Sequence, residues 1–368
     1  MALHLDSPPA PRAASRARDL VAGLVRAATT PLVPSDYLDL IAPLSNPAAL
    51  RGRIVDITPE TADAATITIR PGRGWAGHVP GQYIRIGIDV DGVRQWRAYS
   101  LTSPADAPGG LITITVKAMT DGVVSNHLVR RARPGTLVHL DQATGDFTLP
   151  SPLPERILFL TAGSGITPVM GMLRHLDRWA GATDITLVHS APMADDVIFA
   201  GELRELAARR VITLHERHTR SAGIVEPAHL DELVPDWRDR QTWACGPTAM
   251  LDALEEHHAA AGLADAVHTE RFRPVVIAPG GGGTVTFLGA GVEVDADGST
   301  PLLDAGEDAG VLMPSGCRMG ICYGCVVPLR RGVVRDLRDG SLTVAEDGDS
   351  IPVQTCISAV AGACAIDL

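Results

Sequence analysis

Three cysteines in "PSGCRMGICYGC", Cys317, Cys322 and Cys325, follow a C-x4-C-x2-C spacing, and Cys356 returns later in "VQTCIS". Four thiolates suit a 2Fe-2S cluster, because a tight loop can offer three to one side while a later segment supplies the fourth. Gly316, Gly320 and Gly324 lie in the same loop, so backbone amides can turn toward cluster sulfurs and stabilise their negative charge. Structural zinc is the competing chemistry, but zinc sites usually draw on two paired C-x-x-C elements, and this loop holds one. Cys364 falls outside the pattern and reads as a small buried hydrophobe.

A one-electron carrier needs a donor that can divide the hydride of a reduced nicotinamide, and a flavin does so because it is stable with two, one or no extra electrons. Upstream, "RAYSLTS" begins at Arg97. A guanidinium there can fork onto a flavin phosphate, Tyr99 can stack on the ring, and the Ser100 hydroxyl can reach a ring nitrogen. Core packing of Tyr99 is the plainer alternative. "DGVVSNHL" places Gly122 and Ser125 at a helix start, where amide donors and the helix dipole favour a pyrophosphate, though a simple N-cap looks the same. "TAGSGITPV", with Gly163, Gly165 and Thr167, follows an apolar strand and opens a helix, as a dinucleotide site would. It departs from the G-x-G-x-x-G fingerprint.

Taken together these strings resemble the ferredoxin-NADP reductase superfamily, and the cysteine spacing is similar to that of plant-type ferredoxins. The resemblance implies that Arg97, Tyr99 and Ser100 contact the flavin and that Gly122 and Ser125 bind its phosphates, with FAD favoured over FMN. It places Cys245, Gly246 and Pro247 of "ACGPTAML" beside the nicotinamide. Thr219 and Arg220 in "ERHTRSAG" would take the 2'-phosphate of NADPH, while Pro192, where many relatives carry a basic residue, leaves NADH open. Phe272 in "TERFRP" would cover the other flavin face, or simply anchor the chain. Ser100, Cys245 and Phe272 are thus the residues expected at the hydride path. The leader, with "PLVPSDYLDLIAPL", is similar to that of actinobacterial electron-transfer partners of membrane acyl-CoA desaturases.

These residues must be positioned by several units, since 368 residues suggest roughly two to four domains. The expected order is a helical extension over 1–47, an antiparallel β-barrel binding FAD over 48–152, and an α/β parallel-sheet NAD(P)H domain over 153–273. A Gly-rich linker over 274–283 then leads to an α+β, β-grasp ferredoxin domain over 284–368. Strands are signalled by "ATITIR", "QYIRIGIDV" and "LITITVKAM" in the barrel, and by "DITLVHSA" and "QTWACGP" in the parallel sheet. Four consecutive glycines in "APGGGGT" read as a tether without fixed conformation. The last unit is acidic, with 12 Asp and Glu against 5 Arg.

A net charge of -11 argues against nucleic acid as partner. The sequence offers no apolar run of membrane-spanning length and no secretory signal, so the expected location is the cytoplasm, where thiols stay reduced. Membrane contact is expected only through a partner or the leader, at the inner face of the membrane. The expected activity is an NADPH-dependent electron-transfer reductase that feeds a terminal oxygenase or an acyl-CoA desaturase. One rival is the NADH-dependent reductase of a ring-hydroxylating dioxygenase or multicomponent monooxygenase. Another is a metal-binding redox adaptor that does not turn over.

Overall fold

The computed structural model describes residues 42–46, 50–90, 92–120, 122–179, 183–272, 280–320 and 322–368. The expected helical extension lies outside the described residues apart from a turn over 42–46, and 274–279 of the expected linker lie outside them as well.

The first unit is built from β1 (Arg51–Thr61), β2 (Ala64–Pro71), β3 (Tyr83–Val90), β4 (Val93–Ser100), β5 (Ile112–Lys117) and β6 (Leu137–Leu140), in the spatial order β4-β3-β6-β1-β2-β5. All its pairings are antiparallel. Alternation explains the sheet, since Ile84, Ile86 and Ile88 point into one core with Ile67 and Ile69 while their neighbours point away. Just past β4 the chain crosses to β5 through the Leu101–Ile114 bridge, which closes the sheet on itself. The helix Val123–Arg130 seals one end, burying Val124 and Leu128.

The second unit is a parallel sheet of β7 (Arg156–Ala162), β8 (Asp184–Ala191), β9 (Thr213–His218), β10 (Gln241–Cys245) and β11 (Val267–Glu270), ordered β11-β10-β7-β8-β9. Both faces are covered. Ile157 and Phe159 of β7 enter one core while Leu158 and Leu160 enter the other, which is why the strand reads as an unbroken apolar run. The chain leaves β7 toward β8 on one side, and later elements return to β10 on the other. That reversal opens a crevice at the C-terminal ends of β7 and β10, the place where open α/β sheets bind ligands.

Between these units the helix Ile166–Trp179 packs Gly171 directly onto the Leu101 carbonyl. From the same helix Arg174 donates to the Thr102 carbonyl at 2.8 Å and forks onto Glu202 at 2.8 and 2.6 Å. Ser100 and the nucleotide turn are thereby held on one scaffold.

The third unit is a mixed sheet of β12 (Gly280–Phe287), β13 (Val292–Gly298), β14 (Val326–Asp336), β15 (Leu342–Ala345), β16 (Ile351–Gln354) and β17 (Ser358–Ile366), ordered β13-β12-β17-β14-β15 with β16 on β14. β12 and β17 run parallel, and the helix Leu302–Asp308 packs over the sheet through Leu302 and Leu303. The glycine run departs from expectation, because Gly280–Gly283 belong to β12, with Gly280 and Gly283 paired to Gly298 and Ala296 of β13 on either side of a register shift. A side chain at Gly283 would lie 2.6 Å from the carbonyl carbon of Gly362, so glycine here permits close packing of two backbones.

Candidate functional site

Ser100 ends β4 opposite Tyr83, the first residue of β3. It is buried, and its Oγ has no hydrogen-bond partner among the described residues. An orphaned buried hydroxyl is costly unless something absent from the chain satisfies it. Arg97, two positions back from Tyr99, donates to the Trp96 carbonyl at 2.8 Å; burial, and then Arg318, pull its pKa down. A bound anion would relieve a partly buried cation of this kind. Burial pushes the Tyr99 phenol up, and its ring packs on the barrel core. These features fit a flavin with its phosphate. Ser125 is engaged differently from expectation: its Oγ accepts from Met119 N at 3.1 Å and donates to the Gly122 carbonyl at 3.2 Å, closing the loop before the helix.

At the crevice, Gly163 has a φ of 53° and open space where a side chain would sit, as a cradle for a ligand requires. A Cβ at Gly165 would lie 2.5 Å from the Cys245 carbonyl carbon and 3.0 Å from Gly246 N, so the turn can rest against the end of β10 only as glycine. Thr167 is buried and its Oγ1 donates to the Ser164 carbonyl at 2.9 Å, fixing the turn. Pro247 then opens the way into the helix Thr248–Ala260. Cys245 is 1% exposed, and burial raises its thiol pKa, so it is held as a neutral thiol.

Two site residues escaped the sequence reading. Glu270 ends β11 beside Cys245; its Oε2 is shut off from solvent without a partner, and burial pushes its pKa up to about 8. Tyr83 is 7% exposed and is pushed up to about 12 by burial, then by the charges of Cys317, Cys322 and Glu270. This phenol therefore lies within electrostatic reach of the cysteine loop and of Glu270 at the end of β11. The signal available beforehand was slight: "TERF" adjoins Phe272, and Tyr83 stands in "GQYIRI".

Thr219 and Arg220 lie in the short helix Thr219–Ala222 at the far edge of the same sheet end. Arg220 is exposed; its N donates to the Pro192 carbonyl at 3.1 Å and its Nη1 reaches Met193 Sδ at 3.3 Å. Phe272, 37% exposed, stands at the end of the described segment.

The six cysteines form no disulfide. Cys317 and Cys322 share one hydrogen-bonded contact and Cys325 and Cys356 another, and in each pair one thiol is lowered, to about 5 at Cys322 and about 6 at Cys325, first by its partner thiol. Backbone amides add to this: Cys317 N donates to Cys322 Sγ at 3.1 Å, Met319 N to Cys317 Sγ at 3.3 Å and Gly324 N to Cys322 Sγ at 3.4 Å. Among the described residues no three His, Cys, Asp or Glu side chains gather around a single ion. Two thiol pairs with amides aimed at sulfur fit a centre of two metal atoms, each taking one pair, better than one tetrahedral zinc.

No described helix is long and apolar enough to cross a membrane.

Comparison with known proteins agrees with this geometry. Residues 60–149 match the oxidoreductase FAD-binding domain family, 159–256 the oxidoreductase NAD-binding domain family, and 285–361 the 2Fe-2S iron-sulfur cluster binding domain family. The chain is 52% identical to a Mycobacterium tuberculosis protein named NADPH oxidoreductase, over 92% of this chain and 90% of the relative. It is 32% identical to the ferredoxin reductase component of 3-ketosteroid-9-alpha-monooxygenase from Mycolicibacterium smegmatis, over 77% and 86%. It is 31% identical to the Escherichia coli NADH oxidoreductase HCR, over 82% and 92%. The solved structure of phthalate dioxygenase reductase shares the fold, with a TM-score of 0.60 at 20% identity over 88% of this chain and 100% of that one. The protein is an NAD(P)H-dependent oxidoreductase that uses FAD and a 2Fe-2S cluster. The chain belongs to the ferredoxin-NADP reductase superfamily, in the branch whose flavoprotein is fused to a C-terminal plant-type 2Fe-2S ferredoxin domain.

Proposed function

We propose that the chain is an NADPH-dependent reductase that delivers electrons singly to a partner oxygenase or desaturase. FAD supplies the conversion of a hydride into two single electrons, and the 2Fe-2S cluster supplies the one-electron relay. The observation that carries the reading is the buried, unpartnered Ser100 hydroxyl on the β3–β4 pair, whose Arg85 also reaches Gly316 and Gly324 of the cysteine loop.

On this reading each residue has a task. Ser100 offers its unsatisfied hydroxyl to the flavin ring, Arg97 and the Gly122 turn hold flavin phosphates, and Tyr99 lines a ring face. Gly163, Gly165 and Thr167 shape the pyrophosphate cradle, and Cys245, Gly246 and Pro247 leave room for the nicotinamide. Phe272 guards the same face until nucleotide arrives. Cys317, Cys322, Cys325 and Cys356 hold the cluster.

Thr219 and Arg220 favour NADPH, in keeping with the name of the 52%-identical relative. NADH use is the second reading, because the Escherichia coli relative bears an NADH name and Pro192 supplies no charge. Relatives named as reductase components of monooxygenases support an oxygenase as acceptor. An acyl-CoA desaturase is the finer choice, carried by the leader sequence. A cytoplasmic location with the leader near the membrane's inner face accords with that choice.

Cytochrome c reduction with NADPH and NADH in parallel, on wild type and Cys356→Ser, tests the reading. NADPH should be the better donor, and the variant should lose cytochrome c reduction while NADPH still bleaches its flavin. Equal cytochrome c rates in the variant would remove the cluster from the path.

A further inference from the structure

Arg85 projects from β3 of the flavin unit into the cysteine loop of the third unit. A Cβ at Gly316 would lie 3.1 Å from Arg85 Nη2 and 2.5 Å from Cys322 Sγ; one at Gly324 would lie 2.9 Å from Nη2 and 3.4 Å from the same sulfur. The guanidinium and the sulfur thus flank the same two glycines. Side chains at either position would displace the guanidinium from the loop.

The guanidinium is held from behind. Its Nη1 pairs with Asp141 at 3.0 Å, its Cζ lies 5.2 Å from the centre of the Trp96 ring, and its Nε is buried without a partner. Only 18% of the Arg85 side chain is exposed, whereas its counter-carboxylate is 44% exposed. Water therefore screens the Asp141 charge more than the Arg85 charge, and the loop faces a net positive field. The third unit's own cations at this loop are compensated within that unit: Arg318 pairs with Asp304 at 2.7 Å and with Glu307, and Arg338 reaches the Gly320 carbonyl at 3.4 Å but is forked onto Asp336 at 3.1 and 2.8 Å.

We propose that Arg85 is a positioning residue for electron transfer, a cation lent by the flavin unit that clasps the cysteine loop and raises the cluster's affinity for an electron while the two units are docked. This rests on the iron-sulfur reading of the loop. Each transfer takes one electron from reduced flavin and adds one to the cluster, with the nucleotide hydride as source of the pair. The added negative charge is stabilised by Arg85 across the interface of the two units.

A unit charge within about 10 Å at an effective dielectric of about 20 alters a one-electron equilibrium by roughly tenfold or more. The test is a mediator-based redox titration of the holoprotein followed by EPR, which needs neither nucleotide nor turnover. Arg85→Gln should lower the reduced-to-oxidised ratio at a fixed potential about tenfold, equivalent to about 59 mV. Arg85→Lys should recover most of it, Asp141→Asn should shift the midpoint the opposite way, and Arg94→Gln, in an exposed pair on the same hairpin, should leave it in place. An unshifted midpoint in Arg85→Gln overturns the proposal. If that variant cannot hold iron, Asp141→Asn decides, and an unchanged or lowered midpoint there overturns it. Wild-type protein devoid of iron would instead sink the iron-sulfur reading itself.

Discussion

Gly165→Ala isolates the packing that joins the nucleotide turn to the end of β10. The new methyl would sit 2.5 Å from the Cys245 carbonyl carbon and 3.0 Å from Gly246 N, where about 3.5 Å is comfortable for non-bonded heavy atoms. Gly165 and Cys245 are both buried, so neither can swing into solvent, and the backbone itself must move by about an ångström. Overpacking of this kind costs about 1–3 kcal/mol. Because the strain sits where the crevice is shaped, we expect most of it as lost nucleotide affinity, roughly 5- to 150-fold. Equilibrium titration of oxidised protein with NADP+ reads this, with flavin and iron content as internal controls. Gly262→Ala is the comparison: it has open space and a φ of 75° but lies beyond the far end of the helix Thr248–Ala260, so it should cost only the left-handed backbone, about 1 kcal/mol, and leave nucleotide affinity in place. Wild-type affinity in Gly165→Ala would refute the packing argument, as would an equal loss in Gly262→Ala.

Three other expectations are simpler. Ser100→Ala removes an unpartnered buried hydroxyl, so flavin-free protein should keep its melting temperature, while flavin affinity should fall about 2- to 10-fold for one lost hydrogen bond; a fall in melting temperature without loss of flavin affinity would contradict the assignment. Glu270 has a folded pKa of about 8, above its unfolded value, so the unfolded chain releases this proton first and stability should fall as pH rises from about 4.3 toward 8. Glu270→Gln should flatten that fall, gaining on wild type by on the order of 4 kcal/mol across the window in denaturation profiles at pH 5 and 8; parallel profiles would show that the carboxyl is not buried as described. Arg240 is 6% exposed and ties Asp184 to Asp236 at 2.8 and 2.9 Å, so Arg240→Met should destabilise the parallel-sheet unit by about 3 kcal/mol in thermal unfolding, and an unchanged midpoint would deny it that role.

Motifs confined to one segment were legible in the sequence. Ligand spacing marked the cysteine loop, two-residue alternation marked the barrel strands, and the apolar run before Gly163 marked β7. What escaped depends on meetings between distant segments. Arg85 looks like one more charged residue in "QYIRIGIDV", and only the docked third unit gives it a neighbour. Glu270 matters because β11 lies in register beside β10, a pairing that local sequence does not encode. The glycine run is similar: flexibility is its local meaning, whereas Gly280–Gly283 belong to β12 and Gly362 of β17 leaves no room for a side chain at Gly283. Ser125 was read as facing a ligand, but its hydroxyl finds closer partners in its own loop.

The central claim is that electrons from a nicotinamide reach iron held by Cys317, Cys322, Cys325 and Cys356 by way of the flavin. Anaerobic titration of the purified holoprotein with NADPH, followed by absorbance and low-temperature EPR on the same samples, tests it most directly. We predict bleaching of the flavin together with a growing signal of reduced 2Fe-2S cluster, the signal being lost in Cys356→Ser while flavin bleaching persists. Flavin that bleaches in wild type without any iron signal, or a signal that survives in Cys356→Ser, would contradict the account.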